Sequence, residues 1–209
     1  MVHRLDRATA QLQLTPELLT AAYAQGMFPM APSRHAATIQ WYDPDPRAIL
    51  PLEDFRVPRT LRQKLRQGVF DLRIDTAFEQ VMRACAQPRR DEQETWINDV
   101  IIDAYVHLHE LGLAHSVEAW RDGELVGGLY GVALHAAFFG ESMFHIPGRG
   151  TDASKACLVH LVNHLRERGF QLLDVQINSE HMRSLGAIDI PRREYKRMLA
   201  TAVRQHVQW

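Results

Sequence analysis

A carboxylate in an otherwise apolar stretch is the first candidate for chemistry in this sequence. Glu141 follows Phe138 and Phe139 and precedes Met143. In a regular strand Glu141 and Met143 would face the same side as Phe139. A carboxylate among such neighbours is costly unless it accepts hydrogen bonds or meets a cation. The motif predicts either a functional carboxylate or, as the alternative, a strand-end glutamate that reaches solvent.

A second motif alternates polar and apolar residues. Asp174 and Gln176 alternate with Leu173, Val175 and Ile177, which predicts a strand whose polar side chains share one face. A carboxylate beside an amide can orient that amide and take a proton, directly or through water. We therefore predict a proton-handling pair, with a merely half-exposed strand as the alternative. On this hypothesis, Asp174→Asn leaves the fold nearly intact and cuts turnover.

Aromatic rings and cations suggest contact with RNA, because rings stack on splayed bases and cations bind phosphates. The rings are Trp41, Tyr42, Trp96, Tyr105 and Trp120, and the nearby cations are Arg47, Arg59, Arg62, Lys64 and Arg66. At spacings of three and four, Arg59, Arg62 and Arg66 share one face of a predicted helix. The alternatives are rings that pack in the core and a helix face that is only solvated.

The loop Gly148-Arg149-Gly150 precedes a predicted helix and could present backbone N–H groups to an anion. It is not a Walker motif, because no Gly-Lys-Ser/Thr follows. Cys85 and Cys157 form no CxxC pair, which favours buried thiols in a reducing cytoplasm. His107 and His109 would point to different faces of a helix, so we expect no zinc site.

Composition bounds the class of protein. The chain has 209 residues, 46% hydrophobic and 23% charged, with a formal net charge of −1. These values exclude global disorder and a coiled coil, and they confine any nucleic-acid contact to a local patch. The first residues lack the apolar run of a signal peptide, and no later stretch approaches a membrane span.

The elements that position these residues follow from periodicity and from turn residues. We predict helices over 15–26, 58–67, 76–86, 97–111 and 152–168, a short turn or helix at 180–185 and a basic helix from Pro191. Predicted strands cover 48–50, 69–74, 114–120, 125–133, 136–143 and 171–177. Three antiparallel strands, a helix, a strand and another helix resemble the central unit of the GNAT acyltransferase fold. We expect an α+β fold with a mixed, largely antiparallel sheet, divided into a small α/β N-terminal domain (residues 1–57) and a GNAT-like domain (residues 58–209).

Read in order, the motifs resemble one family, the leucyl/phenylalanyl-tRNA–protein transferases. The resemblance runs from about residue 14 nearly to the end. The motifs are LTPELL (14–19), GMFP (26–29), WYDPDPRA (41–48), TWI (95–97), YVHLHELG (105–112), HSVE (115–118), ELVGGLYGV (124–132), GESMF (140–144), ASK (153–155), DVQ (174–176), SLGA (184–187) and IPR (190–192).

The resemblance implies a bacterial cytoplasmic aminoacyltransferase without metal, CoA or other cofactor. Such an enzyme takes leucine, phenylalanine or methionine from aminoacyl-tRNA and joins it to the N-terminal amine of an acceptor protein. Acceptors are expected to begin with Lys or Arg and to be marked for N-end-rule degradation. No membrane or DNA partner is expected. The alternatives are a CoA-dependent GNAT N-acetyltransferase that uses residues 148–150 for pyrophosphate, and an inactive tRNA-binding adaptor.

The resemblance also implies roles for individual residues. Asp174 and Gln176 match the pair proposed to draw a proton from the attacking amine, and Glu141 matches a carboxylate beside the donor pocket. Trp96 matches an aromatic that holds the 3′-terminal adenosine. The implied walls of the apolar donor pocket are Leu129, Phe138, Met143 and Leu173.

The chain departs from the family pattern in three places. Met30 stands where members usually have a tryptophan that also contacts the terminal adenosine, and Trp41 or Tyr42 is expected to compensate. The usual leader before the first helix is largely missing, which implies a reduced N-terminal domain. The loop over 145–152 is longer than usual, at a place where the acceptor peptide could approach.

Overall fold

The computed structural model describes residues 14–55, 57–88 and 94–209. Within them the strands form a two-stranded and a seven-stranded sheet. The small sheet pairs β1 (Phe28–Met30) with β2 (Gln40–Tyr42). The large sheet contains, in spatial order, β4 (Asp71–Ile74), β5 (Ala114–Arg121), β6 (Glu124–Leu134), β7 (Ala137–His145), β8 (Leu172–Gln176), β3 (Arg47–Ile49) and β9 (Ile188–Ile190).

Helices pack against the large sheet, and the first of them begins at the cap that the sequence predicts. They are α1 (Pro16–Ala24), α2 (Arg59–Arg66), α3 (Phe78–Cys85), α4 (Asp99–Glu110), α5 (Ala153–Arg168), α6 (Glu180–Ser184) and α7 (Arg192–Ala202). Thr15 Oγ1 accepts a hydrogen bond from the Leu18 N–H at the start of α1, 3.3 Å away. Gly26 follows α1 with a φ of 77°, and a Cβ there would meet the Tyr195 ring. The glycine is therefore needed to bring α1 against α7.

The two faces of the large sheet pack against different helices. One face carries Tyr130 and Phe139, which pack in one core with residues of α3 and α4. The other face carries Leu129, Phe138 and Leu173, which pack in a second core with α5. The side chains of neighbouring strand residues alternate between these cores, as the pleat requires.

Strands β7 and β8 separate in the middle of the sheet. They are the parallel pair in an otherwise antiparallel sheet, and their pairing covers only Ala137–Phe139 and Leu172–Asp174. Beyond Phe139, β7 continues to His145, while β8 ends at Gln176. The divergence opens a gap in the sheet, and the candidate site lies there.

The predicted α+β class with a mixed, largely antiparallel sheet is confirmed, including three antiparallel strands (β5–β7), then a helix and a parallel strand. The helices and longer strands lie within a few residues of their predicted bounds. The sequence did not predict β1, β2 or β9, each of which has only three residues. The division after residue 57 stays a prediction. In the structure β3 pairs with β8 and β9, so residues on both sides of that boundary share one sheet.

Other expectations concern cysteines and membranes. Cys85 and Cys157 are both buried, and neither forms a disulfide. Among the described residues, no helix has the length and apolar character that crossing a membrane would require.

Candidate functional site

A cavity of about 1180 Å³ occupies the gap between β7 and β8. Its wall includes five residues that the sequence predicted for the site: Trp96, Leu129, Glu141, Met143 and Leu173. The structure therefore brings together residues from three strands and from the loop before α4. The other five predicted residues, Asp174, Gln176, Phe138, Met30 and Trp41, lie outside the cavity wall.

One side of the cavity is apolar. Leu129, Met143 and Leu173 come from three adjacent strands, and Leu158 and Leu161 of α5 complete the wall. Sequence reasoning missed the two α5 leucines. Their spacing of three, on a helix that must cover the sheet, was an available signal for them. The arrangement provides an apolar wall for a ligand side chain.

Phe138 does not contribute to that wall. Its side chain is fully buried, and its ring stacks on Trp209 with centroids 5.2 Å apart. Phe138 pairs with Leu173 at a point where β7 and β8 are still hydrogen-bonded, before the gap opens. The Phe138 ring therefore packs in the core with α5, and this placement argues against contact with a ligand.

A β-bulge at Glu141 corrects the predicted facing of this strand. Tyr130 of β6 pairs with Ser142, and the next residue, Gly131, pairs with Gly140, so Glu141 is the extra residue. The bulge breaks the alternation, and Glu141 lies on the face of Phe139 while Met143 packs in the α5 core. The expectation that Glu141 and Met143 share a face is therefore wrong.

The Glu141 carboxyl group is the end of a hydrogen-bonded chain of hydroxyls. Tyr23 donates to Glu141 Oε1 at 2.6 Å, so the hydrogen bond between Tyr23 and Tyr105 is donated by Tyr105. Burial raises the pKa of Glu141 to about 8; the Asp174 charge also raises it, while the Tyr23 hydrogen bond and the Arg47 charge lower it. Glu141 is thus a partly buried carboxyl group, held by a neutral donor, that can change its charge near neutral pH.

Asp174 lies in the opposite kind of environment. Its Oδ1 accepts from Arg47 Nε and from the Gln176 N–H, both at 2.9 Å. Its Oδ2 accepts from an Arg47 terminal nitrogen at 2.6 Å and from the Tyr195 hydroxyl at 2.7 Å. Asp174 and Arg47 are fully buried. The two oxygens of the Asp174 carboxylate thus receive four donors from the protein itself, which leaves no free acceptor position for a substrate.

Arg47 ties three segments of the chain to Asp174. Burial alone lowers the pKa of the Arg47 guanidinium, but the Asp174 carboxylate more than compensates and raises it. A further Arg47 nitrogen donates to the Gly26 carbonyl oxygen at 2.8 Å, and the guanidinium lies 4.5 Å from the centroid of the Tyr195 ring. Arg47, a candidate RNA-binding cation from its place in the sequence, is in the structure the buried counter-ion of Asp174.

Gln176 ends β8 in a left-handed conformation with a φ of 56°. Its N–H is held by Asp174 Oδ1, and the Ile177 N–H donates to the Val175 carbonyl at 2.8 Å, which closes the turn. The Gln176 side chain is buried, and its Nε2 has no hydrogen-bond partner among the described residues. Asp174 therefore fixes the backbone that carries a buried amide group with an unused donor.

Trp96 reaches the cavity next to the small sheet. The Ala31 N–H, which follows β1, donates to the Trp96 carbonyl oxygen at 3.1 Å. Met30 and Trp41 are partly buried and pack against the core beside the cavity wall rather than in it. The small sheet thus positions the segment that carries Trp96.

The loop 148–150 does not present its amides to a ligand. The N–H groups of Arg149, Gly150 and Thr151 donate to the carbonyls of Pro147, Ile146 and Gly148. The Arg149 guanidinium pairs with Asp122 and Glu124 at the surface. These three amides are used in local turns and are therefore not free to form the pyrophosphate cradle of the alternative N-acetyltransferase hypothesis.

The basic helix α2 lies close to the cavity mouth. Lys64 pairs with Asp152 at 2.6 Å, and Asp152 lines the cavity together with Lys155, its second partner at 3.0 Å. Arg59, Arg62 and Arg66 are exposed, as the helical spacing predicts. By contrast, Lys196 of α7 pairs with Asp43 at 2.9 Å. Cations are therefore more available on α2 than at this position of α7.

A polar cluster outside the cavity wall joins Asp75, His109 and His115, whose ligand-type atoms all lie within 4.8 Å of one another. Sequence reasoning considered His107 and His109 and missed this group, because Asp75 and His115 are distant in sequence. Asp75 already accepts from His115 at 2.7 Å, from the Ser116 N–H at 2.8 Å and from Trp209 Nε1 at 3.1 Å. The hydrogen bonds account for the cluster as a structural network.

Comparison with known proteins agrees with the motifs. The family model for leucyl/phenylalanyl-tRNA protein transferase matches residues 49–200, and the model for that family's N-terminal domain matches residues 13–45. A leucyl/phenylalanyl-tRNA–protein transferase of Paramagnetospirillum magneticum is 59% identical over 190 residues, covering 91% of this chain and 90% of the relative. Another, of Nitrobacter winogradskyi, is 51% identical and covers 95% of this chain and 87% of the relative.

A solved structure matches at lower identity. A ribosomal-protein-alanine N-acetyltransferase from Brucella melitensis is 21% identical, with a TM-score of 0.38, and the match covers 50% of this chain and 77% of that chain. The two family models together cover most of the chain, and the relatives match over nearly their whole length. On this evidence the chain belongs to the leucyl/phenylalanyl-tRNA–protein transferase family.

Proposed function

We propose that this chain transfers an amino acid from aminoacyl-tRNA to the N-terminal amine of an acceptor protein. The amine nitrogen bonds to the ester carbonyl carbon, the bond from that carbon to the ribose oxygen breaks, and a proton from the amine ends on the released ribose hydroxyl. Aminolysis of an ester is downhill, so positioning, amine neutralisation and oxyanion stabilisation suffice. The observation that carries the proposal is the cavity between β7 and β8, apolar on one side, with Glu141 in its wall.

The apolar wall supports leucine, phenylalanine or methionine as the transferred residue. Leu129, Met143 and Leu173 offer no partner to a charged side chain, and burial of an unpaired charge there would be costly. Shape discriminates weakly, since one methylene is worth about 1–3 kcal/mol. Acceptance of several apolar donors is therefore the expected behaviour.

The rest of the cavity is proposed to hold the terminal adenosine. Its volume of about 1180 Å³ exceeds what an amino-acid side chain needs. Trp96 offers an indole face for the adenine, and stacking of a base on an aromatic ring is worth about 1–3 kcal/mol. Met30 and Trp41 act from outside the wall, by holding the segment that carries Trp96.

Proton handling is proposed to centre on Gln176 with Asp174 as its positioning residue. The Asp174 carboxylate is occupied by Arg47, Tyr195 and the Gln176 backbone, so it orients rather than accepts. Because Gln176 Nε2 has no partner in the part of the chain that the structure describes, the amide can reorient to place its oxygen toward the attacking amine. No metal or cofactor takes part in this scheme.

The acceptor is proposed to be a protein that begins with Lys or Arg and is marked for N-end-rule degradation. Asp152 lies in the cavity wall, where it could face a basic side chain if Lys64 or Lys155 yields its place. The chain is also proposed to divide into two domains after residue 57. Strands β1 and β2 of the first domain would support the part of the cavity that holds the adenosine.

The test is a transfer assay with labelled substrates. The protein is incubated with leucyl-tRNA or with acetyl-CoA and a peptide that begins with Lys or Arg. A matched control is the same peptide with a blocked N-terminal amine. We expect label from leucyl-tRNA only on the free-amine peptide. Label from acetyl-CoA would indicate an N-acetyltransferase, and tRNA binding without any transfer would indicate an adaptor.

Donor choice is tested in the same assay with leucyl-, phenylalanyl-, methionyl- and arginyl-tRNA. The apolar wall predicts transfer of the first three and none of arginine. Efficient arginine transfer with inert leucine would contradict the assignment of the cavity wall to the donor side chain.

A further inference from the structure

Tyr130 belongs to the cavity wall, and no described part of the protein uses its hydroxyl group. Tyr130 is fully buried and lines the cavity, and its hydroxyl has no hydrogen-bond partner within residues 14–55, 57–88 and 94–209. Tyr23, Tyr105 and Tyr195 are also fully buried, and each of their hydroxyls is hydrogen-bonded. An unpaired buried hydroxyl costs free energy, so this exception calls for a partner that the free protein lacks.

The hydroxyl is held in a fixed position. The Tyr130 ring meets Tyr105 edge-on, with centroids 5.9 Å apart, and Phe78 at 6.1 Å. On the backbone, Tyr130 pairs with Ser142, immediately beside the bulge that carries Glu141. The same strand geometry therefore fixes the hydroxyl and the carboxyl group on one face of the sheet.

The pairing of a carboxyl group with a neutral hydroxyl selects one kind of ligand group. An amino group offers several N–H donors and a positive charge, which suit a carboxylate oxygen and a hydroxyl oxygen together. A carbonyl oxygen or a phosphate beside Glu141 would be repelled when that carboxyl group is ionised. The α-amino group is the cationic group of an aminoacyl ester with an apolar side chain, and it lies close to the reacting carbon.

We propose that Tyr130 and Glu141 together bind the α-amino group of the amino acid esterified to tRNA, with N–H groups donating to the Tyr130 hydroxyl oxygen and to the Glu141 carboxylate. This rests on the proposed function and adds a recognition site to it. Tyr130 is thereby a binding residue that distinguishes an aminoacyl ester from a simple acyl ester. The contact fixes the ester carbonyl relative to the apolar wall.

The test compares wild type with Tyr130→Phe on two substrates: leucyl-tRNA and the same tRNA esterified with 4-methylpentanoic acid, which lacks only the α-amino group. We expect Tyr130→Phe to lower kcat/KM for leucyl-tRNA about ten- to hundredfold, because a hydrogen bond to a charged group is lost. The two proteins should be equal on the analogue. Thermal unfolding of Tyr130→Phe should be unchanged or at higher temperature, since an unpaired hydroxyl has been removed.

Other outcomes overturn the inference. Equal kinetics of both proteins on leucyl-tRNA would show that the Tyr130 hydroxyl does not contact the substrate. An equal loss on both substrates would place the hydroxyl against another part of the ester. A wild-type protein that uses the analogue as well as leucyl-tRNA would exclude recognition of the amino group without recourse to the variant. If the wild-type protein transferred neither leucine nor the 4-methylpentanoyl group, the proposed function itself would be wrong.

Discussion

Glu141 on β7 and Asp174 on β8 are carboxyl groups on neighbouring strands, and their surroundings differ. Glu141 lines the cavity and accepts a hydrogen bond from Tyr23, whereas Asp174 lies outside the cavity wall with four donors around it. Burial raises the pKa of Glu141 to about 8. Asp174 instead shares its buried site with the Arg47 guanidinium, at 2.6 Å.

The difference teaches how one sheet can hold two carboxyl groups for two tasks. A charged partner fixes one carboxylate and occupies its oxygens, while a cavity and a neutral donor leave the other free to change its charge. Glu141 is suited to contact substrate, and Asp174 is suited to hold β8 and Gln176 in place. Each of the following predictions would break or sharpen this contrast.

The largest expected effect is on stability at Asp174. Asp174→Asn leaves the fully buried Arg47 charge unpaired, and we expect a loss of about 3–5 kcal/mol in the free energy of unfolding. This revises the expectation that the substitution leaves the fold nearly intact. Urea unfolding measures the loss. Asp189→Asn is the control, because Asp189 pairs with Arg183 at the surface and should contribute little. Equal stability of Asp174→Asn and wild type would remove the structural role from Asp174.

At Glu141 the effect should depend on pH. Because folding raises the pKa of Glu141 from 4.5 to about 8, the neutral carboxyl group favours the fold at low pH, and this contribution is lost as pH rises toward 8. Glu141→Gln keeps an acceptor for Tyr23 without the charge. We expect it to gain stability relative to wild type between pH 5 and about 9, by an amount on the order of a few kcal/mol. Thermal unfolding across this range checks it, with Glu124→Gln at the surface as control. A difference that does not vary with pH would contradict the raised pKa.

The site should also separate stacking from charge in tRNA binding. Trp96→Ala should weaken aminoacyl-tRNA binding by about 1–3 kcal/mol while leaving its salt dependence unchanged. Equilibrium binding at several salt concentrations measures both quantities. Trp120→Ala is the control, since Trp120 lies on β5 and not in the cavity wall. If Trp96→Ala bound aminoacyl-tRNA as tightly as the wild type, the Trp96 indole would not be part of the binding site.

The smallest expected effect is on the salt dependence contributed by α2. The slope of log affinity against log salt should be about −2 to −3, since each contact to a single strand contributes about −0.7. Arg62→Ala with Arg66→Ala should make the slope shallower by about 1–1.5. Arg83→Ala on α3, which pairs with Glu79, is the control. An unaltered slope would show that α2 does not contact phosphates. The better candidate for the phosphate contacts would then be the basic stretch Arg192, Arg193, Lys196 and Arg197.

Much of the scaffold could be predicted from local signals, because caps, turn residues and apolar alternation act over a few residues. Thr15 and Gly26 delimit α1, for example, by chemistry that is visible in the sequence. Leu129, Met143 and Leu173, which the family resemblance implied for the apolar wall, do line the cavity, but strand alternation alone placed Met143 on the wrong face.

Long-range partners were not predictable in this way. No local pattern shows that Arg47 neutralises Asp174, 127 positions away, or that Tyr23 and Tyr105 form a chain to Glu141. The bulge at Glu141 was missed because the pleat alternation assumes a regular strand. These features depend on how β7 and β8 diverge, which only the assembled sheet determines.

The central claim is that Glu141 contacts substrate as a carboxylate, whereas Asp174 acts through the structure. The most direct test is the ratio of kcat/KM between wild type and Glu141→Gln for leucine transfer, measured from pH 6 to about 9.5. Ionisation of the substrates affects both proteins equally, so its effect on kcat/KM cancels in the ratio. We expect the ratio to rise with pH, with its midpoint near pH 8 where Glu141 is half ionised, and to level off about one pH unit higher. A ratio that is constant across this range would contradict the assignment of Glu141 as the carboxylate that meets substrate.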